Sequence, residues 1–173
     1  NVKSTLTKLK ASNPEVIFIP AYYEEVGKIV KQARELGINA KLLGADGWDD
    51  SKLVDIAGAQ PLNDTYFCSH YSEQDNDANV KDFIAAYKAE YGEEPNVFAA
   101  LGYDAGKMLV DAIKRAGSDD PEKIRQALAE TKDLQVGTGI ITMDANHDPI
   151  KSAVVLEMKE GQKIFKQKIN PNK

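Results

Sequence analysis

Asp46 is the first residue whose type and setting suggest chemistry. It leaves the short run Lys41-Leu42-Leu43 through Gly44-Ala45 and precedes Gly47-Trp48. A carboxylate at the exit of a strand can receive a ligand ammonium through charge-assisted hydrogen bonds. The plainer reading is an ordinary turn aspartate. Tyr22 and Tyr23 follow the earlier apolar run Val16-Ile17-Phe18-Ile19. A tyrosine there can wall a pocket with its ring and offer its hydroxyl, or it can simply start a helix and pack on the sheet. Trp48 has the same two readings, and its place beside Asp46 tilts it towards a pocket wall.

Other combinations point away from catalysis. Cys68 and His70 stand two apart in an expected strand and could suggest a metal pair or a nucleophile with its base. Pleating alone puts such residues on one face. A zinc site needs about four ligands, and His147 is the one other histidine. The stretch Asp144-Ala145-Asn146-His147-Asp148 opens like a calcium loop, but Pro149 and Val155 occupy the places that need Gly and Glu. Asp75 to Asn79 fails in the same way at Val80 and Ala86. No Gly-rich phosphate loop and no Gly-x-Ser-x-Gly follow a strand. Paired acids such as Glu24-Glu25 fall at helix starts, where the helix dipole favours them. Gly102 and Gly106, one turn apart, suggest close helix packing. No cofactor and no metal site are expected, and nothing assembles into an enzyme's nucleophile, base and oxyanion site.

The elements that would position Tyr22 and Asp46 alternate. A helix over 2–10 breaks at Asn13-Pro14. Val16–Ile19 is expected as a strand buried on both faces, and a helix follows from Tyr23 to Leu36, stopped by Gly37. Strand 41–43, a short helix carrying Leu53, Val54 and Ile56, and strand 65–69 come next. Asp49, Asp50 or Ser51 can cap that short helix. This order implies an α/β fold with a parallel sheet flanked by helices, whose ligands sit outside the carboxyl ends of the strands. The middle is a run of helices: one over Phe83, Ile84 and Tyr87 ending at Gly92, one capped by Asn96, and one opened by Asp120-Pro121. The tail holds a strand over 139–143 and a hairpin around Glu160-Gly161.

Bulk properties restrict the partners. The chain has 173 residues, is 42% hydrophobic and 28% charged, and carries a formal net charge of −5. That supports a globular core. Lysines form no basic block, so nucleic acid is not an expected partner. Cys68 is the single cysteine, which excludes an internal disulfide. The sequence opens Asn1-Val2-Lys3 without an initiator Met or an apolar signal core, and an upstream piece is expected.

The segments Ala21-Tyr22-Tyr23-Glu24-Glu25-Val26-Gly27, Gln32-Ala33-Arg34-Glu35-Leu36-Gly37 and Leu43-Gly44-Ala45-Asp46-Gly47 resemble the leucine/isoleucine/valine-binding proteins. Gly102-Tyr103-Asp104-Ala105 and the stretch from Asp133 to Asp144 with its final hairpin look like the same family. The resemblance implies a type I periplasmic-binding-protein fold of two α/β lobes joined by three crossovers, of which this chain resembles the C-terminal half. Residues 1–67 would belong to lobe 2, 68–71 to a crossover, 72–138 to helical lobe 1, 139–150 to a second crossover, and 151–173 to a hairpin back in lobe 2.

By that resemblance Asp46 would receive the ligand's α-ammonium, where the family often has Glu. Tyr22 would stand on the lobe 2 wall, and Trp48 would line the side-chain pocket. The implied function is an extracytoplasmic solute-binding subunit of an ABC importer, taking a branched-chain or related amino acid and delivering it to a membrane permease. The location would be the periplasm or the cell surface as a lipoprotein. The missing N-terminal half or a second copy of the chain would be a further partner. An amide or amino-acid sensor on the same fold is the alternative, followed by a small α/β enzyme using Cys68 and His70. Cys68 is expected to be buried and slow to react.

Overall fold

The structure, a computed structural model, describes residues 2–171. The chain divides into two compact units. One holds the chain up to Ser69 together with Val154–Gln167, and the other holds His70–Ala153 together with the end from Lys168. The backbone therefore passes between them at 69/70, 153/154 and 167/168. Residues 139–150, read from sequence as a crossover, form two strands inside the second unit.

In the first unit the order is α1 (Lys3–Ala11), β1 (Val16–Ile19), α2 (Tyr23–Glu35), β2 (Lys41–Gly44), a 3-10 turn (Asp46–Trp48), α3 (Lys52–Ala57), a second 3-10 turn (Gln60–Leu62) and β3 (Thr65–Ser69). Strands β7 (Ala153–Lys159) and β8 (Gln162–Ile169) complete a sheet of order β1-β2-β3-β7-β8. The first three strands are parallel, with Ile19 opposite Gly44 and Gly44 opposite Phe67, and β7 runs antiparallel to β3. The sheet is thus mixed rather than purely parallel. The β7–β8 hairpin turns at Glu160 (φ 52°) and Gly161 (φ 79°), both in the left-handed region.

One face of this sheet is closed and the other is not. Ile19, Leu42, Phe67, Val154, Leu156 and Met158 pack with Val26 and Val30 of α2 and with Leu53 and Ala57 of α3. Leu6 of α1 joins Ala33, Ile38 and Ala40, with Ile17 alongside. Arg34 staples α2 to its surroundings by donating to the carbonyls of Ile38, Ala40, Pro61 and Asn63 at 2.7–3.2 Å. The alternate residues look the other way. Val16 is 47% and Phe18 60% exposed, so β1 is not buried on both faces. The cause is its place at the sheet edge and an opposite face left open. Cys68, expected to be buried, is exposed on that same face, because strand alternation puts Thr65, Phe67 and Ser69 inward.

The second unit holds α4 (Ala78–Tyr91), α5 (Val97–Ala116), α6 (Pro121–Ala129) and a small antiparallel sheet of β4 (Leu134–Val136), β5 (Gly139–Met143) and β6 (Pro149–Ile150). The caps are those the sequence suggests. Asn96 accepts from Ala99 N–H, and Asp120 accepts from Glu122 and Lys123 N–H ahead of Pro121. Tyr71, Val80, Phe83, Val97 and Ala100 form its core. Asp104, 2% exposed, accepts from the backbone N–H groups of Gly137 (2.7 Å) and Thr138 (3.3 Å) and from the Thr138 hydroxyl (2.5 Å). It thereby pins the β4–β5 turn to α5. Among the described residues nothing packs closely on Gly102 or Gly106: a Cβ added at either would meet nothing within 4 Å. They lie among the exposed Phe98, Leu109, Val110 and Ile113 of α5. Among the described residues no helix is long and apolar enough to cross a membrane.

Candidate ligand site at the strand ends of the first unit

Strands β1 and β2 are parallel neighbours, so their carboxyl ends and the turns that leave them lie side by side. After Ile19 the chain bends back through an Ala21 N–H to Ile19 carbonyl hydrogen bond of 3.0 Å. Tyr22 follows in extended conformation as the N-cap of α2, and its carbonyl accepts the Val26 N–H at 2.9 Å. Its side chain is 62% exposed. After Gly44, Ala45 is extended and the chain coils into the Asp46–Trp48 turn. Trp48 N–H bonds to Ala45 carbonyl at 3.2 Å, and Asp49 N–H to Asp46 carbonyl at 3.0 Å. Asp46 is half-buried.

Two glycines let these turns touch. A Cβ at Gly47 would lie 3.0 Å from Cδ1 of Tyr22 and 3.2 Å from the Ala21 carbonyl oxygen. The residue after Asp46 is thus packed directly on Tyr22. A Cβ at Gly44 would fall 2.1 Å from Cε2 of Trp48, so the indole occupies the space a side chain would take. The structure brings Tyr22 and the Asp46 turn together.

Trp48 is placed differently from the expectation. It is 0% exposed, 6.0 Å from the Phe67 ring, and its Nε1 donates to the Ile19 carbonyl at 3.0 Å. It is a core residue, not a pocket wall. An indole next to an acid in sequence gave no sign of this, although Gly44 four residues earlier was a local hint of the room it needs. Because Ile19 carbonyl also receives Ala21 N–H, Trp48 ties the Asp46 turn to the segment carrying Tyr22.

Sequence reasoning missed three further residues. Asp49, considered as a helix cap, is 2% exposed. Its carboxylate accepts the Ser69 hydroxyl in a short hydrogen bond and Lys163 Nζ at 2.9 Å. The capping role falls to Asp50, which accepts Lys52 N–H at 2.9 Å. A partner 114 positions away in the chain leaves no local signal.

Cys68 and His70 have separate surroundings. Cys68 Sγ lies 3.7 Å from the Gly44 carbonyl, in the first unit. His70, in the second, has its Nδ1 3.4 Å from Lys151 Nζ. Lys151 also donates to the Thr138 hydroxyl at 2.6 Å. Burial pushes the Lys151 ammonium below its usual range, and Asp104 restores part of the loss. Among the described residues no group of three or more His, Cys, Asp or Glu is placed to hold a metal ion.

Chemically, a half-buried carboxylate and an exposed phenol on adjoining strand ends suit the recognition of a small cationic or zwitterionic group. Comparison with known proteins bears on that reading. The family model described as periplasmic binding protein matches residues 1–163. The leucine-, isoleucine-, valine-, threonine- and alanine-binding protein of Pseudomonas aeruginosa is 28% identical over 143 residues, covering 83% of this chain and 38% of that protein. Among solved structures, the leucine-binding protein LivK of Thermotoga maritima MSB8 is 40% identical with a TM-score of 0.90, covering 99% of this chain and 49% of that one. The substrate-binding protein LivJ of the branched-chain amino acid transporter of Streptococcus pneumoniae, solved with isoleucine, is 37% identical with a TM-score of 0.87 and the same coverage. The chain therefore spans about half the length of these structures, and its fold is that of the type I periplasmic binding proteins.

Proposed function

This chain belongs to the periplasmic binding protein family, and we propose that it is the C-terminal half of an extracytoplasmic solute-binding subunit of an ABC importer. In this reading the intact protein holds a branched-chain or related amino acid between two lobes and delivers it to a membrane permease. Asp46 receives the α-ammonium and Tyr22 forms part of the wall. The first compact unit corresponds to part of lobe 2 and the second to part of lobe 1. The observation that carries the proposal is the packing of the Asp46–Gly47 turn on Tyr22 at the carboxyl ends of two parallel strands. Relatives named for leucine, isoleucine and valine binding support the ligand class. As in a binding protein rather than an enzyme, the work is done by a fixed carboxylate and an aromatic surface.

The remaining half of the protein has surfaces to cover. Val16, Phe18 and Cys68 lie on an open sheet face, and Phe98, Leu109, Val110 and Ile113 are exposed on α5. A sheet built from parallel strands is ordinarily covered on both faces, and apolar patches of this kind mark association sites. An upstream half of about this chain's length accounts for both surfaces, and a second copy of the chain is the competing occupant. Isothermal titration of the intact protein against the amino acids tests the function: binding of leucine, isoleucine or valine is expected. Heat-silent titrations with every amino acid, at concentrations up to the millimolar range, would remove it.

A further inference from the structure

The carboxylate three residues after Asp46 is almost fully withdrawn from water, and nothing in ligand binding as described requires it. Its partners show what it holds. Ser69 is the last residue of β3, and Lys163 lies on β8. Both engage Asp49, Ser69 through a short hydrogen bond and Lys163 at 2.9 Å. The Asp49 backbone N–H closes the turn on the Asp46 carbonyl at 3.0 Å. On the other flank Trp48 fastens the same turn to the end of β1 through its 3.0 Å bond to Ile19. The four-residue segment 46–49 is therefore held from both sides, by a neutral bond towards β1 and, on the other flank, by a hydroxyl hydrogen bond from β3 and an ion pair with β8.

Asp49 has given up its water while the Lys163 side chain stays 34% exposed, and desolvating a carboxylate offsets much of the attraction it gains, so the pair is a costly way to gain stability. What the two partners supply is placement, since a bond from β3 and one from β8 converge on the same carboxylate. That carboxylate sits one 3-10 turn from the residue assigned to the ligand ammonium. Charge-assisted recognition at that residue depends on ångström-scale placement.

We propose that Asp49, held by Lys163 and Ser69, is a positioning residue that sets Asp46 for the ligand ammonium. The proposal rests on the reading of Asp46 as the ammonium acceptor. The test is a double-mutant cycle in the intact protein, using Asp46→Asn, Asp49→Asn and the pair, titrated with whichever of leucine, isoleucine and valine binds best. Asp49→Asn alone is expected to weaken binding by roughly tenfold, yet to change affinity by less than about twofold when Asp46 is already Asn. A purely structural Asp49 would instead give losses that add. Lys163→Met runs the same cycle from the partner's side and decides the matter if Asp49→Asn does not fold, and Lys163→Arg should restore most of the affinity. Additive losses, or wild-type affinity in Asp49→Asn and Lys163→Met while Asp46→Asn binds poorly, overturn this inference alone. Wild-type affinity in Asp46→Asn overturns the assignment of Asp46 itself.

Discussion

The ring of Tyr22 rests on the backbone of Gly47, close enough that a Cβ at position 47 would stand 3.0 Å from Cδ1. This contact joins the two turns on which ligand recognition is proposed to depend. It also makes Gly47 a sensitive position although its backbone is not in the left-handed region. Gly47→Ala has to displace the ring or the Ala21 carbonyl, 3.2 Å away, by a few tenths of an ångström. The expected outcome is a loss of amino-acid affinity out of proportion to the loss of stability, which overpacking puts at about 1–3 kcal/mol. Titration and denaturant unfolding of the same variant check it.

Trp48→Phe keeps an aromatic ring in the space above Gly44 and deletes the Nε1 bond to Ile19. Loss of one buried hydrogen bond and some ring volume is expected to cost about 1–3 kcal/mol. Trp48→Ala should cost more, about 3–5 kcal/mol, through the cavity it opens. Chemical denaturation midpoints separate the two. Equal stability of wild type and Trp48→Ala would contradict the placement of the indole in the core.

Cys68 lies on the open sheet face. In the isolated chain it should react with a thiol probe without prior unfolding. In the intact protein, where the upstream half is proposed to cover that face, labelling should slow to the rate set by opening of the structure. Identical labelling in the two would place the covering half elsewhere.

Lys151 makes stability depend on pH. Burial lowers its pKa below 10.5, with Asp104 opposing the shift and His70 Nδ1 as a neighbour. Between the lowered pKa and 10.5 the unfolded chain binds more protons than the folded one, so the contribution of Lys151 to stability rises with pH across that window. Denaturation midpoints of wild type and Lys151→Met, followed from pH 7 to 10.5, should diverge in favour of wild type as the pH climbs. A constant difference would contradict the shift.

Much of this architecture is legible in the sequence because its signals are local. The four apolar residues before Pro20, the caps at Asn96 and Asp120 and the glycines after α4 and α5 act within one turn of where they stand. The juxtaposition of Tyr22 with the Asp46 turn follows from the parallel pairing of β1 and β2, which alternation of strands and helices already implies. What is not legible depends on distant chain. The openness of Val16, Phe18 and Cys68 is decided by whatever lies over the sheet, and the antiparallel entry of β7 by a hairpin some ninety positions after β3. Asp49 looks like a third turn acid until Lys163 is brought beside it.

The most direct test of ammonium capture by Asp46 is a crystal structure of the intact protein with its amino acid bound. The account predicts the α-ammonium within hydrogen-bonding distance of the Asp46 carboxylate, about 2.7–2.9 Å, with the Tyr22 ring against the ligand and Trp48 still beneath the turn, out of contact. An ammonium held by other groups, with Asp46 turned to solvent, would contradict it.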